Sequence, residues 1–229
     1  MKNLIKNELK GWKAWEIFWL LLTCAIICVL SIYWKDTAVG IVSAVAGVAC
    51  VVCTGKGKLS AYLFGLVNVV LYAYISFQAK YYGEVMLNVL YYFPMQFYGL
   101  YVWKKHMNQE THEVQKRNMS KKSWLLVLLG VAVSTIVYGF ILRQLGGALP
   151  FVDALSTVIS VFAMIISIHM YVEQWLLWLI VDAVSVVMWG VAYARGSESI
   201  ATLIMWVVYL ANAVIMYIKW QREVKRNEV

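Results

Sequence analysis

The sequence predicts an all-α membrane protein with eight transmembrane helices, and three observations carry that expectation. The chain of 229 residues is 62% hydrophobic and only 14% charged, with a mean hydropathy of +0.70. A soluble domain of this length needs more polar surface to cover its core. Apolar runs of about 20 residues, the length that crosses a hydrocarbon core about 30 Å thick, recur from end to end. The basic residues gather at alternate ends of those runs.

Taken in order, the apolar runs are residues 15–34, 37–54, 59–78, 81–103, 124–142, 152–171, 175–194 and 199–220. A start such as MKNLIKNELKGWKAW resembles a signal peptide, but the apolar run is too long and no small-x-small cleavage site follows. Residues 1–13 have mild amphipathic spacing through Leu4, Ile5, Leu9 and Trp12, as expected of a segment lying along the interface. Trp15, Trp19, Trp34, Trp103, Trp124 and Trp220 stand near span ends, where an amphipathic ring acts as an interfacial anchor.

Eight spans return both termini to one side. That side holds Lys2, Lys6, Lys10, Lys13, Lys56, Lys58, Lys104, Lys105, Lys116, Arg117, Lys121, Lys122, Lys219, Arg222, Lys225 and Arg226. The other holds Lys35, Lys80, Arg143 and Arg195, so the 20 basic residues divide sixteen to four. Positive-inside bias places the sixteen and both termini in the cytoplasm, of a plasma (inner) membrane. The net charge of +8 is therefore read as a topology signal with the lipid bilayer as partner, and not as a nucleic-acid face.

No catalytic set stands out. HExxH, GxSxG and paired-carboxylate patterns are absent, and Gly55-Lys56-Gly57-Lys58 is a short turn without phosphate-loop spacing. Cys50-x-x-Cys53 has redox or half-zinc-site spacing but lies in an apolar run without a second pair, so the cysteines read as small fillers of a helix face. His106 and His112 fall in a polar loop and read as solvated. No metal, no cofactor and no enzymatic activity are expected.

An internal pattern is more informative. Spans three and four, and spans seven and eight, each place a polar group at mid-span (Asn68, Asp182) and turn after a basic residue (Lys80, Arg195). They close with Trp103-Lys104-Lys105 and with Trp220-Gln221-Arg222. Two three-span units of the same orientation need one odd span between them, which gives a 3+1+3 core preceded by an extra helix. The expected divisions are 1–36 for the interfacial segment and extra helix, 37–103 for the first repeat and 104–123 for a cytoplasmic loop. The linker helix with its outer loop takes 124–151, the second repeat 152–220 and a cytoplasmic tail 221–229.

Polar groups inside hydrocarbon are expensive and must face a cavity or a partner. Asn68 and Tyr72 share one face of the third span; Glu84, Asn88, Tyr92 and Gln96 recur every four residues on the fourth. The sixth has Asp153, Thr157 and Ser160. The seventh has Trp175, Trp178, Asp182, Ser185 and Trp189, and the eighth Trp206, Tyr209 and Asn212. Interhelical bonding is the alternative reading for Thr157, Ser160 and Ser185. Asp182, without a Lys or Arg at matching depth, calls for a proton or a cationic substrate, whereas Glu84 and Asp153 lie nearer the outer ends as entrance or structural groups. Amides, hydroxyls, flat aromatics and a carboxylate together describe a site for a planar, polar molecule that tolerates positive charge.

These residues also carry a resemblance. GKGKLSAYLFGLVNVVLYAYISFQAKYYGEVMLNVLYYFPMQFYGLYVWKK is similar to the first repeat of the PnuC-type vitamin transporters, and EQWLLWLIVDAVSVVMWGVAYARG resembles their second-repeat W-x-x-W-x-x-x-[ND] signature, here Trp175, Trp178 and Asp182. The resemblance implies a homotrimeric carrier of the small-molecule vitamin nicotinamide riboside, acting by facilitated diffusion, with a core similar to the SWEET proteins. The substrate-binding residues expected are Asn68, Tyr72, Asn88, Tyr92, Gln96, Thr157, Trp178, Asp182, Trp206, Tyr209 and Asn212. Relatives carry thiamine or riboflavin, and Ser185 stands where an aromatic often follows in the family, which leaves the choice of vitamin open.

Overall fold

The computed structural model is described for residues 8–144, 150–196 and 200–227, and among these residues it is helical with no strand, only two isolated bridges. Residues 1–7 of the expected interfacial segment and the side chain of Asp153 lie outside the described residues.

The helices are α1 (Ala14–Tyr33), α2 (Ala38–Lys56), α3 (Ser60–Gln78), α4 (Tyr82–Met86), a π-helical stretch (Leu87–Tyr92), α5 (Phe93–Lys105), α6 (Lys121–Gln144), α7 (Pro150–Ile168), α8 (Gln174–Ala194) and α9 (Ile200–Asn227). Each apolar run read from the sequence overlaps helical residues, the eighth from residue 200 onward. Among the described residues, α1, α2, α3, α6, α8 and α9 are long and apolar enough to cross a membrane, and α7 contains a shorter apolar stretch, Ala154–Ile168. The π-helical stretch has a local cause. Pro94 has no N–H and its ring crowds the carbonyl four residues back, so the preceding turn widens and the helix continues as α5.

Several helices end in the same device. Lys35 (φ 56°), Gly57 (φ 82°), Lys80 (φ 61°), Met170 (φ 62°) and Gly196 (φ 91°) adopt the left-handed conformation. At four of these ends the next N–H turns back to a carbonyl of the last helical turn: Asp36 to Ser31 (2.8 Å), Lys58 to Cys53 (3.0 Å), Tyr81 to Ser76 (2.8 Å) and Tyr171 to Ile166 (3.1 Å). Orphan carbonyls at a helix end are satisfied in this way, at a cost of about 1–2 kcal/mol where the left-handed residue is not glycine.

The chain divides into two compact units. The first is Met1–Gln115 with Ser185–Asn212, and the second is Lys116–Val184 with Ala213–Val229. In the first unit α2 is the most enclosed helix, burying Gly40, Ser43, Ala44, Ala46, Gly47 and Ala49. Small residues allow backbones to approach where lipid gives no hydrophobic push between helices, so dispersion contacts hold the pair α2–α3. The helix is started by Thr37, whose hydroxyl accepts from the Gly40 N–H (3.0 Å). Asp36 accepts from the Ala201 N–H at the start of α9 (2.6 Å), a carboxylate at a helix N-terminus.

The turn between α2 and α3 gathers charge. Lys56 is 4% exposed and pairs with Glu16 and Glu113, each at 3.0 Å. Lys58 is fully buried and donates to the His112 carbonyl (3.0 Å), while the Val114 N–H donates to the Gly57 carbonyl (3.0 Å). These two lysines are thus structural ties, and the segment around His112, expected to be solvated, docks on the turn. Trp103 departs from its expected role too: it is fully buried and meets Tyr62 edge-on at 5.1 Å.

In the second unit a loop segment likewise docks on a helix turn. The Arg117 N–H donates to the Met170 carbonyl (3.1 Å) and the Val172 N–H returns to the Arg117 carbonyl (3.0 Å), with the guanidinium 4.3 Å from the Tyr171 ring. Glu173 accepts from the Met119 N–H (3.0 Å). Lys116 pairs with Glu223 (2.9 Å), and Trp220 packs on Trp175 at 5.6 Å. Trp220 is therefore buried in protein and is not an interfacial anchor. Along α6, Gly130 and Gly139 make room for the rings of Phe162 and Phe151.

Candidate substrate site

In the first unit the polar face of α3 meets α2, α8 and α9. Gly47, tenth of the 19 residues of α2, and Asn68, ninth of the 19 of α3, mark the middle of both helices. A Cβ at Gly47 would collide with the Tyr209 hydroxyl and lie 2.7 Å from the Asn68 amide and 2.8 Å from the Met205 sulfur. Glycine is required here so that three side chains can converge on the α2 backbone. The Asn68 amide donates to the Ser43 carbonyl (2.9 Å), which fixes the amide and leaves its oxygen without a protein donor among the described residues.

One turn along α3, Tyr72 is 3% exposed and sits within an aromatic cluster. Its ring lies 5.8 Å from both Trp189 and Trp206. Trp206 in turn meets Tyr209 at 5.2 Å, and Trp189 meets Tyr81 at 5.3 Å. The Trp189 indole N–H donates to the Tyr72 hydroxyl (2.8 Å). That hydroxyl also faces the Glu84 carboxylate, in reach as donor to acceptor. Glu84 is half-buried and has no basic partner among the described residues.

The other expected site residues of this unit distribute differently. Asn88 is 3% exposed and its amide donates to the Glu84 carbonyl on its own helix (2.8 Å). Gln96 is buried with its amide against Gly65 of α3. Tyr92 packs on Tyr91 at 5.5 Å. Asn212, fully buried, accepts from the Trp19 indole (3.2 Å) and donates to the Val51 carbonyl (3.3 Å). Its amide is engaged by α1 and α2, which makes it an interhelical tie.

In the second unit, Asp182 is 3% exposed and no ion pair or hydrogen bond joins its carboxylate among the described residues. Trp178, one turn earlier on α8, is half-buried against the cluster of Val172, Trp175, Ala213, Met216, Trp220 and Val224. Thr157 is half-buried on α7. Residue spacing did not single out Ser43, Gly47, Tyr81 and Met205. The glycine at the centre of a span was the available signal for Gly47.

The described residues thus place aromatics, amides and the Asp182 carboxylate along apolar helices. A profile described as nicotinamide mononucleotide transporter matches residues 37–222, which is most of the chain. The chain belongs to this transporter family. The nicotinamide riboside transporter PnuC of Neisseria mucosa is 44% identical over 228 residues, covering 97% of this chain and 87% of that protein. That of Haemophilus influenzae is 31% identical over 226 residues, covering 97% of each. A solved structure, the crystal structure of the vitamin B3 transporter PnuC, superposes with a TM-score of 0.88 at 42% identity over 98% of both chains. The family consists of transporters, in accord with a multi-pass membrane protein that is not an enzyme.

Proposed function

We propose that this chain imports nicotinamide riboside by facilitated diffusion through a site near the bilayer midplane. The observation that carries the reading is the convergence of Asn68 and Tyr209 on Gly47, at the middle of helices α2 and α3, with Trp206 against Tyr209 and Tyr72 against Trp206. Rings in T-shaped contact offer faces to a pyridinium ring, and the Asn68 oxygen offers an acceptor to a carboxamide or ribose hydroxyl. Asn88, Tyr92 and Gln96 extend this polar face on the fourth span. Asp182, Trp178 and Thr157 are proposed as the second repeat's substrate-binding residues, since a buried carboxylate without a basic partner suits a cation.

The riboside is favoured over the mononucleotide named in the family description. A phosphate needs Lys or Arg donors, whereas the intramembrane acidic groups are the carboxylates of Asp182 at mid-span and Glu84 nearer the end of its span.

The architecture proposed is eight spans, with the α4–α5 run as the fourth and α7 as the sixth, arranged as an extra helix and a 3+1+3 core of SWEET type. Support comes from the matching turns of the two repeats. Gly57 and then Lys80 punctuate the first, Met170 and then Gly196 the second, all left-handed. The intervening helices α3 and α8 have 19 and 21 residues. The sixteen-to-four charge division supports cytoplasmic termini in the inner membrane, and a homotrimer completes the proposal.

Uptake of labelled riboside into cells that lack their own carrier tests the function. Trp178→Ala and Asp182→Ala are expected to abolish uptake while expression and assembly stay normal; unchanged uptake in both would overturn the site. A thermal-shift panel of nicotinamide riboside, its mononucleotide, thiamine and riboflavin on purified protein identifies the vitamin, because the true ligand stabilises the native state by mass action.

A further inference from the structure

Glu84 lies in the first turn of α4, where sequence position alone assigns it to the entrance. The structure instead brings it against the aromatic cluster, facing the hydroxyl of Tyr72. That hydroxyl already accepts the Trp189 N–H at 2.8 Å, so its own proton is free to point at the carboxylate. Tyr72 is flanked by Trp189 and Trp206, both at 5.8 Å. Among the described residues no Lys, Arg or His compensates Glu84. A half-buried carboxylate in a wall of aromatic rings has the composition of a cation-selecting site: the charge attracts and the ring faces desolvate without repelling.

We propose that Glu84 is a further specificity-determining residue, a second negative group in addition to Asp182, that makes this transporter prefer the positively charged pyridinium ring over a neutral ring of the same shape. The inference rests on the nicotinamide riboside reading and deepens it. Tyr72 serves as the positioning residue, holding the carboxylate through one oxygen and leaving the other for the cation.

The test compares nicotinamide riboside with its reduced dihydro form, which is neutral and nearly isosteric, on the full-length protein purified and reconstituted in vesicles. Wild type is expected to favour the cation. Glu84→Gln keeps the size and a hydrogen-bonding oxygen but removes the charge; it should weaken binding of the cation by about tenfold or more and leave the neutral form within about twofold. Equal loss of both ligands means that Glu84 only supports Tyr72, and overturns the inference. So does an unchanged preference. Should E84Q not assemble, Glu84→Asp retains the charge and should retain the preference; a preference lost with the charge intact also overturns it. Wild-type protein that binds neither form defeats the nicotinamide riboside reading itself.

Discussion

The indole N–H of Trp189 donates to the hydroxyl of Tyr72 across 2.8 Å, joining α8 to α3 inside the first unit. Both residues are buried, at 1% and 3% exposure, so neither group has water as an alternative partner. Trp189→Phe keeps the ring packing and deletes the donor. The expected outcome is a loss of about 1 kcal/mol, or about fivefold weaker riboside binding. Titration calorimetry on the purified protein checks it, with the melting temperature showing only a small fall.

Gly47 is the close-approach point of the cluster. Gly47→Ala places a methyl group against the Tyr209 hydroxyl, the Asn68 amide and the Met205 sulfur, with backbone on one side and side chains of the two helices α3 and α9 on the other. Overpacking of this kind destabilises by about 1–3 kcal/mol. Thermal unfolding should move down and riboside affinity should fall with it, because Asn68 and Tyr209 among the displaced groups are proposed to contact substrate.

Lys56 neutralises two carboxylates at once. Lys56→Met would leave Glu16 (1% exposed) and Glu113 (18% exposed) without their shared cation. Removing one member of a buried ion pair costs about 3–5 kcal/mol. A large drop in melting temperature is expected, with partial recovery in the double variant carrying Glu16→Gln. A wild-type melt for the single variant would show that the cluster contributes nothing.

Asn212 separates tie from site. Asn212→Leu removes the acceptor of the Trp19 N–H and the donor to the Val51 carbonyl. Interhelical polar bonds in membranes contribute about 0.6 kcal/mol, rarely more than about 1.7. The expected result is a modest loss of thermal stability with riboside affinity unchanged, read by melting and by calorimetry on the same preparation.

Much of the helical layout was legible in the chain itself. The apolar runs located the helices, because the length of hydrocarbon to be crossed imposes a recurring segment length. Asn68 and Tyr72 were legible as one face because four residues make about one turn. Their partners were not: the helical period gives the angle of a side chain about its own axis but not which helix stands opposite. Trp189 lay on the stripe with Asp182, yet nothing in the spacing indicated that its N–H would meet Tyr72. Glu84 was placed by its depth along the fourth span, whereas a fold back against α3 decided its neighbour.

The lysines and tryptophans at span ends teach the same point from the other direction. Charge counting used Lys56, Lys58 and Lys116 only as markers of a side, and the ring positions of Trp103 and Trp220 suggested an interface. In the tertiary structure Lys56 and Lys116 pair with carboxylates, Lys58 donates to backbone carbonyls, and both tryptophans are fully enclosed.

By itself, the sequence determined where the helices run, the polar faces they carry and, through motif resemblance, the family. The tertiary structure alone decided which faces meet: Gly47 against Asn68 and Tyr209, Tyr72 between two tryptophans with Glu84 beside it, and Asn212 tied to α1. The physical reason is one of range. Helix formation and membrane crossing depend on local backbone bonding and segment length, while a site depends on contacts between different helices, some of them between residues more than 100 positions apart such as Tyr72 and Trp189, which only packing selects.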